Sequence, residues 1–461
     1  MINVSEQRVV YKININSFFS IIICKLVIKL SKILFKGGSN FPGKVALKLD
    51  KNILKTVCND YKIIIITGTN GKTTTTSMIY NILKDAKKCV ITNSTGANML
   101  TGIVSCFIEN YSFKKCCSTK YAVIECDEAN IPLFTHYVTP EIITITNLFR
   151  DQLDRYGEVY STLNKIIQGI EKVPLSNLVL NGDESLLGDL NLPNRTIYYG
   201  FSCSLTEDKK VSLNSDAKFC KKCKSPYMYN FLTYNHLGDY YCPNCGYKRP
   251  ELDYTLDEIK EQTPEGSLVI INEKEYYINQ PGTYNMYNAL CAYSVAMVCD
   301  IPISNIYNSL KNQKSSFGRH ENIRIGDKQV KIILVKNPAG YDQAINTLTL
   351  DNRTFNLVVL LNDNYADGRD VSWIWDVDFE KLSSLNIDKI MISGIRPYDM
   401  AVRLKIAGLP NKDFIISETY ESLTEEIKNC KLNTVYVLAT YTAMINFRKF
   451  LNFKGYIKKF W

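Results

Sequence analysis

The chain of 461 residues lacks an uninterrupted run of about 20 apolar residues, and it has no small-residue cleavage site of the A-x-A type near its N-terminus. The first absence argues against a polytopic membrane protein, and the second argues against a secreted one. Hydrophobic residues make up 46% and charged residues 22%, near the globular average, which excludes wholesale disorder. We therefore expect a cytoplasmic protein of roughly three domains, at about 150 residues per domain.

Acidic residues are scarce at the N-terminus. Residues 1–62 contain eleven Lys/Arg against three Asp/Glu, a balance of +8, whereas the net charge of the whole chain is +9. The remainder of the chain is therefore almost neutral. Proteins that bind nucleic acid usually spread lysine and arginine along a groove. We expect no nucleic-acid partner.

The basic N-terminal segment has an apolar stretch over residues 14–35 with lysines at a regular spacing. Lys25, Lys29, Lys32 and Lys36 are four, three and four residues apart, which places all four on one face of a helix. One interpretation is a helix in the membrane interface, with lysines toward anionic headgroups, at the inner face of the cell membrane. The other is an amphipathic helix packed on its own domain. The sequence leaves both open.

A phosphate-binding loop is predicted after a buried strand. The β-branched run at residues 63–66 leads into TGTNGKTTTT, residues 67–76, and then into a helix-like stretch. Strand, glycine loop and helix are the context that a P-loop requires, in which backbone N–H groups cradle phosphate. Lys72 would neutralise the β and γ phosphates and Thr73 would hold Mg²⁺. The predicted nucleotide-binding residues are Gly68, Thr69, Asn70, Gly71, Lys72, Thr73 and Thr74.

Two residues, Thr69 and Asn70, separate the glycines of the loop, where the standard P-loop has four. TGTNGKTTTT resembles the ATP loop of the Mur ligase family, enzymes that join amino acids to peptidoglycan precursors through an acyl phosphate. Four later segments match that family in order. They are YAVIECDE at 121–128, TNLFRDQLD at 146–154, GTYNMYNA at 282–289 and FGRHE at 317–321. Each segment alone is weak evidence, and together they are strong.

The resemblance implies roles for particular residues. Glu125 would bind Mg²⁺, Asn285 would contact adenine, and Arg319 would lie near the nucleotide. Gln152 stands where the family usually has histidine, and glutamine is a poorer Mg²⁺ ligand than a carboxylate. A second metal site would therefore be altered.

Two cysteine pairs predict a zinc site. Cys220 and Cys223 form one CxxC, Cys242 and Cys245 form another, and eighteen residues separate them. Each pair can present two thiolates from a tight turn, and four thiolates complete a tetrahedral Zn²⁺ site with no open position. We expect a structural zinc ribbon. Unliganded thiols or a redox pair are the alternative.

The C-terminal part departs from ordinary Mur ligases. LVKNPAGY at 334–341 stands in place of their D-x-Y-x-H-x-P pattern, and NDNYADGRDVSWIWD follows at 362–376. With the cysteine pairs and Gln152, these segments resemble the MurT family, the ligase-like subunits of lipid II isoglutaminyl synthase. The resemblance implies ATP-dependent amidation of the D-glutamate α-carboxylate of lipid II, giving D-isoglutamine. Lys72, Thr73 with Mg²⁺ and Glu125 would stabilise the transferring phosphoryl group.

No glutaminase is predicted within the chain. A class I amidotransferase needs a nucleophilic cysteine with a downstream histidine, and none of His136, His236 and His320 has such a cysteine motif around it. The resemblance implies that ammonia comes from a separate glutaminase subunit of the GatD type, in a heterodimer. The partner's Cys-His pair would be completed by an aspartate from this chain, for which Asp370 and Asp376 are candidates.

The predicted fold class is α/β: a Mur ligase-type central P-loop ATPase domain with a zinc-ribbon insertion, followed by a Rossmann-like α/β C-terminal domain. The predicted boundaries are residues 1–55 for the basic segment, 56–314 for the ATP domain with the ribbon at 203–250, and 315–461 for the glutaminase-binding domain. The predicted cofactors are ATP, Mg²⁺ and Zn²⁺, and lipid II is the predicted substrate. An amino-acid-adding Mur ligase and a nucleic-acid-binding ATPase are the alternatives.

Overall fold

The structure, a computed structural model, describes residues 14–35, 40–93, 97–113, 119–149, 158–204, 217–314, 319–410 and 414–457. Two mostly parallel sheets form the two halves of the molecule, and three helices precede them. The helices are α1 (Ile15–Phe35), α2 (Asn40–Leu49) and α3 (Ile53–Cys58).

The first half is built on a nine-stranded sheet in the order β11-β10-β9-β6-β5-β4-β1-β3-β2. In this sheet order, each pair of neighbouring strands from β9 to β2 is parallel, whereas β9, β10 and β11 pair with one another antiparallel. The elements, in chain order, are β1 (Tyr61–Thr67), α4 (Lys72–Asp85), β2 (Cys89–Thr92), α5 (Leu100–Asn110), β3 (Lys120–Glu125), α6 (Ile131–Thr135), β4 (Ile142–Ile145), α7 (Glu158–Ile170), β5 (Asn177–Asn181), β6 (Thr196–Phe201), β7 (Met228–Tyr234), β8 (Leu237–Tyr241), β9 (Tyr254–Gln262), β10 (Ser267–Ile271), β11 (Lys274–Ile278), α8 (Thr283–Val298) and α9 (Ile303–Lys311).

The β-branched run of β1 is explained by burial on both faces of this sheet. Ile64 and Ile66 pack into one hydrophobic cluster, and Ile63 and Ile65 pack into another on the opposite face. Successive side chains of a strand point to opposite faces, so a central parallel strand covered by helices on both sides has an uninterrupted apolar sequence. The strand delivers the glycine loop to the carboxyl edge of the sheet.

The second half is a six-stranded sheet in the order β12-β13-β17-β14-β15-β16, parallel except for the β12–β13 hairpin. Its central strand β14 is buried along its whole length. The elements are β12 (Arg319–Ile325), β13 (Lys328–Leu334), α10 (Pro338–Leu348), β14 (Phe355–Leu361), β15 (Ile387–Gly394), α11 (Pro397–Ile406), β16 (Phe414–Ile416), α12 (Tyr420–Asn429), β17 (Thr434–Ala439) and α13 (Tyr441–Phe453). The predicted Rossmann-like α/β half is confirmed, and the domain boundaries stay a prediction.

Helix α1 packs on its own domain, which is one of the two interpretations that the sequence left open, and contact with a membrane stays a prediction. Its buried side chains, Ser17, Ser20, Ile21, Cys24 and Ile28, share one face, which packs on the protein. A second apolar row on its outer side is exposed. The row comprises Ile15, Phe19, Ile22, Ile23, Leu26 and Leu30. Among the described residues, no helix is long and apolar enough to cross a membrane.

Candidate nucleotide site and zinc centre

A cavity of about 380 Å³ lies between the glycine loop and the second sheet. The residues of the loop from Thr69 to Thr74 line one side, and residues around the start of α10 line the other. Asn337, which caps α10, has its side-chain nitrogen 3.4 Å from Asn70 Oδ1 of the loop. The two halves of the molecule therefore share this cavity.

Two glycines give the loop its shape. Gly68 and Gly71 have φ of +120° and +84°, in the left-handed region that favours glycine. A Cβ at Gly71 would collide with the side-chain oxygen of Asn288, and one at Gly68 would collide with Thr146. Gly71 immediately precedes α4, so the backbone N–H groups at the start of that helix face the cavity that Thr73 and Thr74 line.

Lys72, the expected phosphate-binding lysine, is held by partners from two segments. Its ammonium donates to the carbonyl oxygen of Gly68 and lies 2.8 Å from Glu128 Oε1, and both side chains are largely buried. Glu128 was not singled out from the sequence, although it ends the quoted segment 121–128. The contact between Glu128 and Lys72 forms only in the folded chain, because 56 residues separate the two in sequence.

Glu125 ends β3 inside the cavity wall and is 6% exposed. Asn98 donates to its Oε1 at 3.2 Å, and Asn93 accepts its backbone N–H at 2.9 Å. Glu125 and Thr73 line the same cavity. A carboxylate and a hydroxyl are oxygen ligands of the kind Mg²⁺ prefers, so the residues fit the predicted ion.

Asn285 lies at the start of α8, where the side chain is nearly buried. Its amide donates to the Pro281 carbonyl oxygen at 2.7 Å, and its Oδ1 accepts from Asn288 at 3.1 Å. Asn288, one turn along, lines the cavity. The adenine contact of Asn285 stays a prediction. The side chain of Arg319 is outside the described residues, as are residues 150–157, which include Gln152.

His320, next along the chain, lines the cavity and hydrogen-bonds with the Tyr284 hydroxyl. Burial, together with the nearby Lys331 ammonium, lowers the pKa of His320 to about 3. The imidazole is therefore neutral at physiological pH. Its neighbour Glu321 forms an ion pair with Arg448 of α13.

The four predicted zinc ligands come together. All four sulfur atoms, from Cys220, Cys223, Cys242 and Cys245, lie within 4.8 Å of one another. The Cys220–Cys245 and Cys223–Cys242 sulfur separations are 3.5 and 3.4 Å. Those distances are far too long for disulfides and close to the roughly 3.8 Å edge of a tetrahedral zinc–thiolate site. The donor set fits structural zinc, and the β7–β8 hairpin between the pairs forms a separate two-stranded sheet.

The candidate partner-facing aspartates lie after β14. Asp370 is exposed, and its Oδ1 accepts the Ser372 backbone N–H at 2.8 Å. Asp376 is half-buried at the end of a short 3-10 helix. Of the two tryptophans in that helix, Trp373 is 2% exposed in the core and Trp375 is 49% exposed. Trp373 is thus part of the core, whereas Trp375 is exposed enough to contact a partner.

Family models and relatives agree on one assignment. The Mur ligase middle domain model matches residues 66–296, and the MurT ligase C-terminal model matches residues 334–444. The lipid II isoglutaminyl synthase (glutamine-hydrolyzing) subunit MurT of Streptococcus pneumoniae is 41% identical over 92% of this chain and 94% of its own length. The chain belongs to the MurT family. A MurT subunit of the same name from Staphylococcus aureus is 35% identical over 93% of this chain and 96% of its own.

Two solved structures have a fold similar to that of this MurT chain. A pseudomurein peptide ligase type C from Methanothermus fervidus superposes with a TM-score of 0.65 at 20% identity, covering 89% of this chain and 84% of its own. MurF ligase from Thermotoga maritima, solved in complex with ADP, gives 0.59 at 13% identity, covering 90% and 85%. At these identities the likeness shows the fold. It confirms the predicted Mur ligase-type architecture of this MurT chain.

Proposed function

We propose that this chain is the ligase subunit of a lipid II isoglutaminyl synthase in peptidoglycan biosynthesis. It uses ATP to convert the α-carboxylate of D-glutamate in the lipid II stem peptide into the carboxamide of D-isoglutamine. Relatives that share more than 90% of their length with this chain carry that name. The observation that supports the chemistry is the shared cavity, which lies between the glycine loop and the second sheet and is lined by Lys72, Thr73 and Glu125.

The first step activates a poor acyl donor. A carboxylate oxygen of D-glutamate attacks the γ-phosphorus of ATP, ADP leaves, and an acyl phosphate forms. The loop N–H groups and Lys72 face the phosphates, where fixed positive charge stabilises the transferring group. Thr73 and Glu125 would hold Mg²⁺, which would neutralise charge on the β and γ phosphates. Glu128 keeps the Lys72 ammonium at the cavity wall.

The second step forms the carbon–nitrogen bond. Ammonia attacks the carbonyl carbon of the acyl phosphate, inorganic phosphate leaves, and a proton is lost from nitrogen. The role of the C-terminal half here is to close the cavity, because Asn337, Ala339 and Gly340 approach the loop from the second sheet. Exclusion of water would protect the intermediate from hydrolysis.

A class I glutaminase of the GatD type supplies the ammonia in this proposal. Of the two candidate aspartates, we favour Asp370 as the group that completes its Cys-His pair. A carboxylate that acts in a partner's site has to be exposed, and Asp370 is exposed whereas Asp376 is half-buried. The partly exposed Trp375 and the outward row of α11 offer apolar contact beside it. That row comprises Tyr398, Val402 and Ile406.

Contact with the membrane is part of the proposal, since lipid II is held in a bilayer. By helical geometry, the exposed apolar row of α1 is flanked by the face that carries Lys25 and Lys29. Apolar side chains beside lysines fit an anionic lipid surface. Lys25 also donates to the Tyr111 carbonyl oxygen, which ties the helix to the end of α5.

Co-expression with a class I glutaminase tests the function. The complex should lower the mass of lipid II by about one dalton, the exchange of hydroxyl for amine, and should need ATP and glutamine. Lys72→Ala should abolish the product while leaving the complex intact. Lys62→Ala, which breaks an exposed pair with Glu141 on the same sheet, is the matched control and should retain activity. Unchanged lipid II from a folded complex would overturn the proposal.

A further inference from the structure

The zinc-ribbon hairpin extends from the four cysteines to a buried tip. The strands β7 and β8 meet at Asn235, which has φ of +53°, and at His236, which is fully buried. Tyr234, the last residue of β7, is 8% exposed and lines the nucleotide cavity. The end of the ribbon opposite the cysteines therefore lies beside the phosphate-binding loop.

The tip is linked to that loop through Phe149, on which two of its aromatic rings pack. Phe149 stacks on Tyr234 with centroids 5.9 Å apart, and its ring lies 4.9 Å from that of His236. The Phe149 backbone N–H donates to Thr69 Oγ1, and Thr69 Oγ1 donates to the Phe149 carbonyl oxygen, both at 3.0 Å. Two rings of the ribbon thus pack on the residue that fixes Thr69 in the loop.

A buried hydrogen bond supports the same segment. His236 Nε2 lies 2.8 Å from Glu184 Oε2, and neither side chain is exposed. The same carboxylate oxygen accepts the Leu148 backbone N–H at 3.2 Å. A buried carboxylate needs its partners, so removing His236 disturbs the group that holds the chain just after β4.

A second buried carboxylate joins the ribbon to α8. Asp183 is 2.8 Å from Arg249 of the ribbon and accepts a hydrogen bond from Tyr287 of α8. The Tyr287 hydroxyl is also 2.8 Å from Thr233 of the hairpin. The next residue of α8, Asn288, lines the cavity. The ribbon is therefore attached to two walls of the nucleotide site.

We propose that the zinc ribbon is a positioning element of the nucleotide site. Through His236, its tip holds residues 146–149 against the phosphate-binding loop. Tyr234 forms part of the cavity wall that would contact bound ATP. The four cysteines would hold zinc at the far end of the hairpin, and the closed end would keep the tip in place. This inference rests on the proposed binding of ATP at the loop.

Nucleotide affinity of the zinc-loaded complex tests this. We expect Tyr234→Ala and His236→Ala to weaken the binding of ATP, titrated by calorimetry, by about three- to tenfold, the range of an aromatic contact. Tyr241→Ala removes a half-exposed ring from the same ribbon and should change the affinity less than twofold. Tyr234→Phe keeps the stacked ring and should bind like the parent. Zinc content, measured after thiol release, should be unchanged in all of them.

Steady-state kinetics separate positioning from loss of folded protein. We expect the KM for ATP to rise in His236→Ala while kcat at saturating ATP changes less than twofold, because misfolding would instead lower kcat. His236→Gln can still donate to Glu184 and should recover part of the affinity. Equal affinity of parent, Tyr234→Ala and His236→Ala, all with zinc, would overturn the inference alone. A parent complex that binds no nucleotide would overturn the proposed function and this inference together.

Discussion

At the scale of single residues, His320 is a neutral imidazole between the two halves of the molecule. Burial lowers the pKa of its side chain to about 3, whereas an unfolded chain binds a proton near pH 6.5. Because the unfolded state takes up the proton first, stability is lost as pH falls below 6.5. The contribution of His320 is complete only above that pH.

We therefore expect the free energy of unfolding of the parent to fall by about 2 kcal/mol more than that of His320→Gln when the pH is lowered from 7.5 to 5. Glutamine can keep a hydrogen bond to Tyr284 and does not titrate. Urea unfolding midpoints of both proteins at the two pH values measure the shift. A difference that is the same at both pH values would contradict it.

Asp370 is the residue for which the proposed partner makes the sharpest prediction. Asp370→Ala should lower glutamine hydrolysis by the complex at least a hundredfold, because an aspartate that orients a catalytic imidazole contributes on that scale. Free ammonia at high pH should restore amidation. Asp376→Ala is the matched variant and should hydrolyse glutamine within a few-fold of the parent. The opposite result for the two variants would assign the role to Asp376.

The placement of site residues was predictable where a local pattern indicates it, and not where it depends on tertiary neighbours. Lys72, Thr73 and Glu125 line one cavity as their segments indicated, because each stands at the carboxyl edge of a parallel strand. The contacts of Glu128 with Lys72, and of Asn98 with Glu125, join distant segments. Spacing along the chain contains no such information.

At the scale of elements, α1 shows why an apolar helix could not be assigned from its sequence. Its buried face contains Ser17 and Ser20 beside apolar residues, whereas its exposed row is apolar throughout, so the apolar pattern alone could not say which face packs on the protein. The outer row includes Leu26, 57% exposed, and Leu30, 56% exposed. That row is exposed in the structure, and in our proposal it contacts the surface of the membrane.

We expect Leu26→Glu to reduce the binding of the complex to vesicles that contain anionic lipid by about tenfold or more, since burying a leucine is worth about 1.5–3 kcal/mol. Leu175→Glu changes a leucine that is 88% exposed elsewhere and serves as the matched control. Sedimentation with vesicles measures both. Equal binding by the two variants would contradict a role for α1.

At the scale of the whole molecule, the Mur ligase-type α/β fold was predictable because the glycine loop, the β-branched run before it and the later family segments mark it locally. Strands β14 and β17 consist almost wholly of buried residues, so an apolar run marks each of them in the sequence. The shared cavity was not predictable in its detail. It depends on how the second sheet meets the glycine loop, as in the approach of Asn337 to Asn70.

The central claim is that the α-carboxylate of D-glutamate is activated by phosphoryl transfer before ammonia attacks it. The most direct measurement uses lipid II with ¹⁸O in that carboxylate, incubated with the complex, ATP and glutamine. The account predicts one ¹⁸O atom in the released inorganic phosphate for each D-isoglutamine formed, because the attacking oxygen leaves with phosphorus. Phosphate without ¹⁸O, alongside amidated product, would contradict it.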